Sequence, residues 1–78
     1  MDMMLKLVDK LPERERVILK LRFGLGGAKA MTLEEVSRAI GRTRERVRQI
    51  QNQALETLRA VIEGKGTLEE LLPADDED

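Results

Sequence analysis

The stretch that decides the fold is residues 32–50, which read TLEEVSRAIGRTRERVRQI. Thr32 and Glu35 form a capping box, in which each side chain can bond the backbone N–H of the other residue, so a helix begins there. Gly41 is typical of a helix C-terminus, and Thr43 is a good N-cap for a second helix. The first helix has an apolar face at helical spacing: Leu33, Val36 and Ile40. Two helices joined by a short turn that contains a glycine predict a helix-turn-helix motif.

The second helix, which we expect to run to about Glu63, has two different faces. Its apolar face comprises Val47, Ile50, Ala54, Leu58, Val61 and Ile62. Its polar face comprises Glu45, Gln49, Asn52 and Glu56, with Arg48 at the edge, and Arg44 lies in the first turn, where it can project past the helix end. Arginine can read guanine, glutamate can accept from cytosine N4 and glutamine can read adenine. The polar face is therefore of the kind that reads base edges in the major groove of DNA.

The charges are unevenly distributed along the chain, although they nearly cancel over the whole of it. The net charge is −1, but residues 1–60 carry 13 basic and 8 acidic side chains, whereas residues 61–78 carry 1 and 7. Residues 38–48 hold five arginines and one glutamate, which favours attraction to phosphates. The alternative interpretation of these arginines is a solvated helix face that forms pairs within the helix.

The remaining sequence predicts further short helices. A helix is expected over Met3–Lys10, and a second one has Pro12 at its first position and ends at Gly24. Residues 25–31 are interpreted as a loop, and a second capping box at Thr67 starts a last short helix before Pro73. The prediction is an all-α domain of four to five helices over residues 1–72, followed by a disordered acidic tail over residues 73–78.

The composition argues against several classes of protein. The chain of 78 residues has no His, Cys, Trp or Tyr, so it lacks the usual groups for acid–base catalysis, thiolate chemistry and zinc binding. The glycines at 24 and 26 do not form a glycine-rich phosphate-binding motif, because Lys29 stands where the third glycine would be. No apolar run is long enough to span a membrane. We therefore expect a cytoplasmic protein that is not an enzyme and has no cofactor, metal or small-molecule substrate.

Three blocks of the sequence resemble the fourth conserved region of bacterial RNA polymerase sigma factors, which is their C-terminal DNA-binding region. The blocks are LPERERVILKLRFGL at 11–25, TLEEV at 32–36 and TRERVRQI at 43–50. The resemblance covers about residues 5–72. Val47, Gln51 and the segment after the long helix look more like the general-stress branch of the family than like the housekeeping branch.

This resemblance implies partners and residue roles. The partners are double-stranded promoter DNA at the −35 element, the beta-subunit flap of RNA polymerase, and an anti-sigma factor or an activator. The implied base contacts are Arg44, Glu45 and Gln49. The DNA backbone contacts are Arg22, Thr32, Leu33, Glu34, Arg46 and Arg48, to which we add Arg42, where the family tends to have a small apolar residue. The implied flap groove comprises Leu7, Leu11, Val17, Ile18, Leu21 and Phe23.

Other interpretations remain open at this point. The groove residues could simply form the core, since apolar stripes at helical spacing usually do. The domain could act mainly as a protein-interaction module of the same fold, or as a stand-alone helix-turn-helix regulator, although no long heptad seam for a dimer is visible. Gln53, Glu56 and Thr57 stand where family members often have basic residues, so we expect the isolated domain to bind DNA weakly.

Overall fold

The computed structural model describes residues 2–27 and 29–72, with side chains from Leu5 onward. Its helices are α1 Asp2–Asp9, α2 Glu13–Phe23, α3 Leu33–Ile40, α4 Arg44–Ile62 and α5 Leu68–Leu71, with one turn of 3₁₀ helix at Leu25–Gly27. No strand occurs in these two ranges, which confirms the predicted all-α domain of four to five helices. The predicted acidic tail over residues 73–78 lies outside the described residues.

The helices begin and end where the sequence places their caps. In the capping box of α3, the Glu35 N–H donates to the Thr32 hydroxyl at 3.1 Å and the Thr32 N–H donates to a Glu35 carboxylate oxygen at 2.9 Å. Gly24 ends α2 and Gly41 ends α3, both with left-handed backbone angles that a glycine adopts without strain. These caps fix the helix boundaries locally.

Three boundaries differ by one residue from their predictions: both ends of α1, which was predicted at Met3–Lys10 and lies at Asp2–Asp9, and the start of α2. Pro12 was expected at the first position of α2, but it is the N-cap, with an extended ψ of 155°. From there its carbonyl oxygen accepts the first helical hydrogen bond, from the Arg16 N–H at 2.9 Å. The N-cap position also needs no donor from the proline nitrogen, so the ring is tolerated there equally well.

The core consists of two apolar clusters that share α4. The first core cluster joins α4 to α1 and α2, and its buried members are Val8, Leu11, Leu19, Ala54 and Leu58. The second core cluster joins α4 to α2 and α3, and its buried members are Ile18, Val36, Val47 and Ile50. The predicted apolar face of α4 is thus buried from Val47 to Leu58. The prediction fails at the end of the helix, where Ile62 is 47% exposed.

The short helix α5 packs back onto the first core cluster. The side chains of Leu68 and Leu72 contact this cluster. The N-cap Thr67 accepts a hydrogen bond from the Glu70 N–H at 3.2 Å, as the second capping box predicted. Within the ranges that the structure describes, no helix is both long and apolar enough to cross a membrane.

Candidate nucleic-acid interface

The turn between α3 and α4 is held by hydrogen bonds on both sides. After α3, the Gly41 and Arg42 N–H groups donate to the Ser37 carbonyl oxygen at 2.9 and 3.2 Å. At the start of α4, the Thr43 hydroxyl accepts from the Arg46 N–H at 3.1 Å. Beneath the turn, Val36 of α3 and Val47 of α4 are both fully buried in the second core cluster. The first turns of α4 therefore have a fixed direction relative to α3.

The predicted base-reading residues lie together on the exposed side of α4. Arg44, Glu45 and Gln49 are all exposed and lie within the first two turns after the Thr43 cap. Their exposure follows from the helical period, because Val47 and Ile50 point into the core from the other side of the same turns. The structure brings these three side chains to one surface, and their contacts with bases stay a prediction.

Four side chains of this surface form a chain of hydrogen bonds. Arg48 donates through Nε to Glu45 Oε1 at 3.0 Å and through Nη2 to Glu45 Oε2 at 2.6 Å. Gln49 Nε2 donates to Glu45 Oε2 at 3.5 Å, and Arg46 Nη1 donates to Gln49 Oε1 at 3.4 Å. The pairs within the helix that the alternative interpretation expected are therefore present. They do not argue against DNA binding, since all four side chains remain at the surface or partly exposed.

The pairing shifts the pKa of both ionised partners. The hydrogen bond from Arg48, together with the positive charge of that residue, holds the pKa of the Glu45 carboxyl below its ordinary value of 4.5. The hydrogen bond to Glu45 and its negative charge raise the pKa of the Arg48 guanidinium. Both groups therefore carry their full charge at neutral pH.

The residues predicted to contact the DNA backbone have different surroundings. Thr32 uses its hydroxyl to cap α3, and Glu34 pairs with Arg38 at 3.3 Å. Leu33 packs against the second core cluster, so only its backbone N–H at the start of α3 is suited to a phosphate. Arg42 is exposed in the turn, and its Nη1 donates to the Gly41 carbonyl oxygen at 3.5 Å. The contacts of these residues with the DNA backbone remain predictions, as do those of Arg46 and Arg48.

Arg22, another predicted contact of the DNA backbone, makes two contacts within the protein. Its Nη1 donates to the Met31 carbonyl oxygen at 3.2 Å, and its guanidinium lies 5.4 Å from the centre of the Phe23 ring. The Met31 N–H in turn donates to the Leu21 carbonyl oxygen at 3.0 Å. Arg22 therefore helps to hold the chain segment that leads into α3.

The six residues of the predicted flap groove do not line one groove in this structure. Leu11 and Ile18 are buried in different core clusters, so here they present no surface to a partner. Leu7 packs against the first core cluster and Leu21 against the second. Val17 lies in a separate cleft, together with Glu13, Arg14, Ile40 and Arg42. Among the six only Phe23 is largely exposed, because packing rather than spacing decides which apolar side chains reach the surface.

A different apolar pocket surrounds Phe23. It has a volume of about 180 Å³ and is lined by Val8, Leu19, Phe23, Leu25, Leu55 and Leu58. We call it the Phe23 pocket. Phe23 is the one lining residue that belongs to the predicted groove, and sequence reasoning missed the other five as groove residues. Among these, Leu25 lies just after a helix end and Leu55 lies beside the predicted apolar face of α4. The spacing of Leu55 from Leu58, three residues on a helix, was the signal available.

Comparison with known proteins agrees with the helix-turn-helix geometry. The family model described as sigma-70, region 4 matches residues 7–60. RNA polymerase sigma factor SigA of Listeria monocytogenes is 54% identical over 52 residues, which are 67% of this chain and 14% of that protein. SigA of Clostridium acetobutylicum is 48% identical over 58 residues, which are 74% of this chain and 15% of that protein. The chain thus spans about one seventh of the length of these relatives.

These relatives also bear on the branch of the family. They are SigA proteins, and SigA is a housekeeping sigma factor, so the expected likeness to the general-stress branch is not supported. Region 4 is a DNA-binding domain and not a known enzyme family. With the family match over residues 7–60 and the capped helix-turn-helix in place, the chain belongs to the sigma-70 region 4 family, the −35 promoter-recognition domain of RNA polymerase sigma factors.

Proposed function

We propose that the domain reads the −35 element by placing the first turns of α4 in the major groove, with Arg44, Glu45 and Gln49 facing the base edges. The observation that supports this most is the position of these exposed side chains, directly after the capped N-terminus of a helix whose other side is locked in the core. Recognition helices lead into the major groove with such N-terminal residues.

Phosphate contacts on either side of α4 supply the remaining attraction. Arg42 in the turn, and Arg46 and Arg48 on α4, bring three positive charges close to the reading surface. Further along α4, the exposed side chains of Asn52, Gln53 and Glu56 add no positive charge. Each phosphate contact that is missing lowers affinity and flattens its salt dependence. The isolated domain therefore binds DNA weakly and depends on polymerase to hold it at the promoter.

The test of base reading is the ratio of affinities for two duplexes, one carrying a −35 sequence and one scrambled. Arg44→Ala and Gln49→Ala lower the affinity for the −35 duplex by about 1–3 kcal/mol each and relax the preference at one base pair. Arg59→Ala is the control, because Arg59 lies near the other end of α4 and pairs with Glu63. Direct base reading is wrong if both variants keep the ratio of the unaltered protein.

The Phe23 pocket is the surface that we assign to the polymerase flap. Its lining is entirely apolar, and the Phe23 side chain at its edge is 44% exposed, which suits the apolar side of a partner helix. None of its lining residues belongs to the predicted DNA contacts, so promoter and polymerase can be bound at the same time. The proposed function includes a cytoplasmic location, because promoter DNA and RNA polymerase are found there.

A protein partner other than polymerase is the second candidate. Nearly half of the Arg48 side chain is exposed, so it is accessible to an activator or an anti-sigma factor that has an acidic surface. The packing of Leu68 and Leu72 on the first core cluster supports a folded unit that extends to residue 72. Binding of such a partner to the domain without DNA would support this role.

A further inference from the structure

We propose that the acidic tail, residues 73–78, inhibits DNA binding by the domain from within the same chain. Residues 75–78 are all acidic, and the tail contains no basic residue. Their carboxylates compete with DNA phosphates for the arginines at the start of α4, since guanidinium groups bind both kinds of anion. This inference rests on the proposed function, and it adds a competitor that the chain itself carries and that restrains binding to DNA of any sequence.

The target of the tail is a group of arginines in the turn before α4 and in the first turns of α4. We call it the arginine cluster: Arg42, Arg44, Arg46 and Arg48. The seven residues 42–48 hold these four arginines and one glutamate, a net charge of +3. Three of the arginines are exposed and one is partly exposed. The positive end of the helix dipole lies at the same place, so anions are attracted to this end of α4.

The fold fixes the point at which the chain enters the acidic tail. After α4 the chain turns at Gly64, whose φ is +79°, and the Lys65 N–H donates to the Ala60 carbonyl oxygen at 2.9 Å. Helix α5 then packs back on the domain, and Leu72, the last residue that the structure describes, contacts the first core cluster. The chain therefore enters the tail beside the other helices and not beyond the end of α4.

Six residues are long enough to bring the tail near the arginine cluster. The first core cluster includes Ala54 of α4, which is ten positions after Arg44 and thus about 15 Å from it along the helix. Six residues of extended chain span about 20 Å. Charges also act across about 10 Å of solvent at 0.1 M salt. The carboxylates of residues 75–78 can therefore come within electrostatic range of the arginines.

The surroundings of α5 offer the tail little positive charge. The Lys65 ammonium pairs with the Glu63 carboxylate at 3.3 Å. Lys10 lines a cleft next to α5, but Glu69 lines the same cleft. Residues 61–72 as a whole hold three glutamates and one lysine, which repel an acidic segment. The arginine cluster therefore attracts the tail more strongly than this region does.

The first experiment measures DNA binding by the full chain after the tail has lost its charge. The variant carries Asp75→Asn, Asp76→Asn, Glu77→Gln and Asp78→Asn, and fluorescence anisotropy at low salt gives its affinity. We expect it to bind DNA about 10-fold more tightly than the unaltered protein, because four weak ion pairs no longer compete. The gain is the same for −35 and scrambled duplexes, since phosphates are the same in every sequence. It shrinks as salt is added, so the variant has the steeper salt dependence.

A pair of double variants controls for net charge. Asp75→Asn with Asp76→Asn removes two negative charges from the tail, and Asp9→Asn with Glu69→Gln removes two from α1 and α5, where both side chains are exposed. The tail pair raises the affinity about threefold, whereas the control pair raises it much less, because only the tail competes for the arginine cluster. An equal gain in both pairs would make the effect one of net charge and overturn the competition.

NMR without DNA tests the contact itself. Neutralising the tail is expected to shift the backbone amide and Nε–H resonances of the arginine cluster and to leave those of Arg59, near the other end of α4, unchanged. Shifts centred on Lys10 would place the tail on α1, and the absence of any shift would leave it without a contact. Either result overturns the inference.

The DNA measurements separate this inference from the proposed function. Equal affinities of the neutralised and the unaltered protein at low salt would show that the tail does not inhibit, even if both prefer the −35 duplex. If neither protein prefers the −35 duplex, the proposed function fails. A gain of affinity on neutralisation, together with the NMR shifts at the arginine cluster, would still support competition by the tail.

Discussion

The Nη1 atom of Arg22 donates a hydrogen bond to the Met31 carbonyl oxygen at 3.2 Å, which ties the end of α2 to the segment before α3. The same guanidinium lies over the ring of Phe23, the neighbouring residue that borders the Phe23 pocket. One side chain thereby links the start of the helix-turn-helix to the apolar surface. Arg22 therefore helps to hold the helices in place, in addition to any contact that it makes with DNA.

Replacing Arg22 by alanine should therefore lower the stability of the free protein. The loss of a charged hydrogen bond and of the contact with the ring is expected to lower the free energy of unfolding by about 1.5 kcal/mol. Urea denaturation followed by circular dichroism measures this change. Arg59→Ala, which breaks an exposed pair, is the control and changes the free energy by less than about 0.5 kcal/mol. Equal stabilities of the two variants would remove the structural role of Arg22.

The turn of the helix-turn-helix depends on the left-handed backbone of Gly41. Its φ is +75°, and a Cβ placed there meets nothing within 4 Å, so alanine is disfavoured by backbone strain alone. Gly41→Ala is expected to lower the free energy of unfolding by about 1 kcal/mol, and Gly41→Asn by less, because asparagine tolerates this conformation better. Thermal unfolding of the two variants gives the order. If both variants are as stable as the unaltered protein, the predicted role of the Gly41 backbone conformation is wrong.

The Phe23 pocket can be tested against an equally exposed apolar residue elsewhere. Phe23→Ser is expected to weaken binding of a peptide with the sequence of the flap tip by at least 1 kcal/mol, since aromatic residues commonly dominate such contacts. Ile62→Ser is the matched control, because Ile62 is 47% exposed and does not line the pocket. Isothermal titration calorimetry measures both affinities. Equal losses, or no loss in Phe23→Ser, would place the flap elsewhere.

The pairing of Glu45 with Arg48 has a pH dependence of defined sign. Because the folded protein lowers the pKa of Glu45, the pair stabilises the fold above the unfolded pKa, and its contribution is lost as the pH falls through the folded value. Carbon-13 NMR titration of the Glu45 carboxyl is expected to give a midpoint below 4.5. Arg48→Met raises this midpoint toward 4.5, and Arg44→Met raises it less. An unchanged midpoint in Arg48→Met would contradict the pairing.

Arg42 provides a test of the phosphate contacts. Arg42→Ala is expected to weaken the binding of −35 and scrambled duplexes alike, because phosphates are the same in every sequence. The slope of the logarithm of the binding constant against the logarithm of salt concentration falls in magnitude by about 0.9. A salt titration with both duplexes measures it. If the slope stays the same, Arg42 does not contact a phosphate.

Local signals were sufficient to predict the threonine and glycine caps of the helices and the exposed face of α4. The caps at Thr32, Thr43 and Thr67 act through residues three positions away, so the sequence alone reveals them. The apolar surface was not predictable in the same way. Leu11 and Ile18 have the same spacing signal as residues of a groove, and only the packing of the helices α1 to α4 shows that they are buried.

Side-chain direction was the other limit of sequence reasoning. Glu45 and Arg48 are three residues apart on a helix, so a contact between them was foreseeable. That both oxygens of Glu45 are engaged, and that Arg22 points toward the Met31 carbonyl, depends on rotamers and on the path of the loop. These details decide which residues can face DNA directly.

The most direct test of promoter reading is a titration of the nitrogen-15-labelled chain with a −35 duplex, followed by the backbone amide resonances. We expect shifts confined to residues 32–52, with the largest ones at Arg44, Glu45 and Gln49, and much smaller shifts with a scrambled duplex. Shifts of equal size and distribution with both duplexes, or shifts centred on the Phe23 pocket, would contradict recognition of the −35 element by α4.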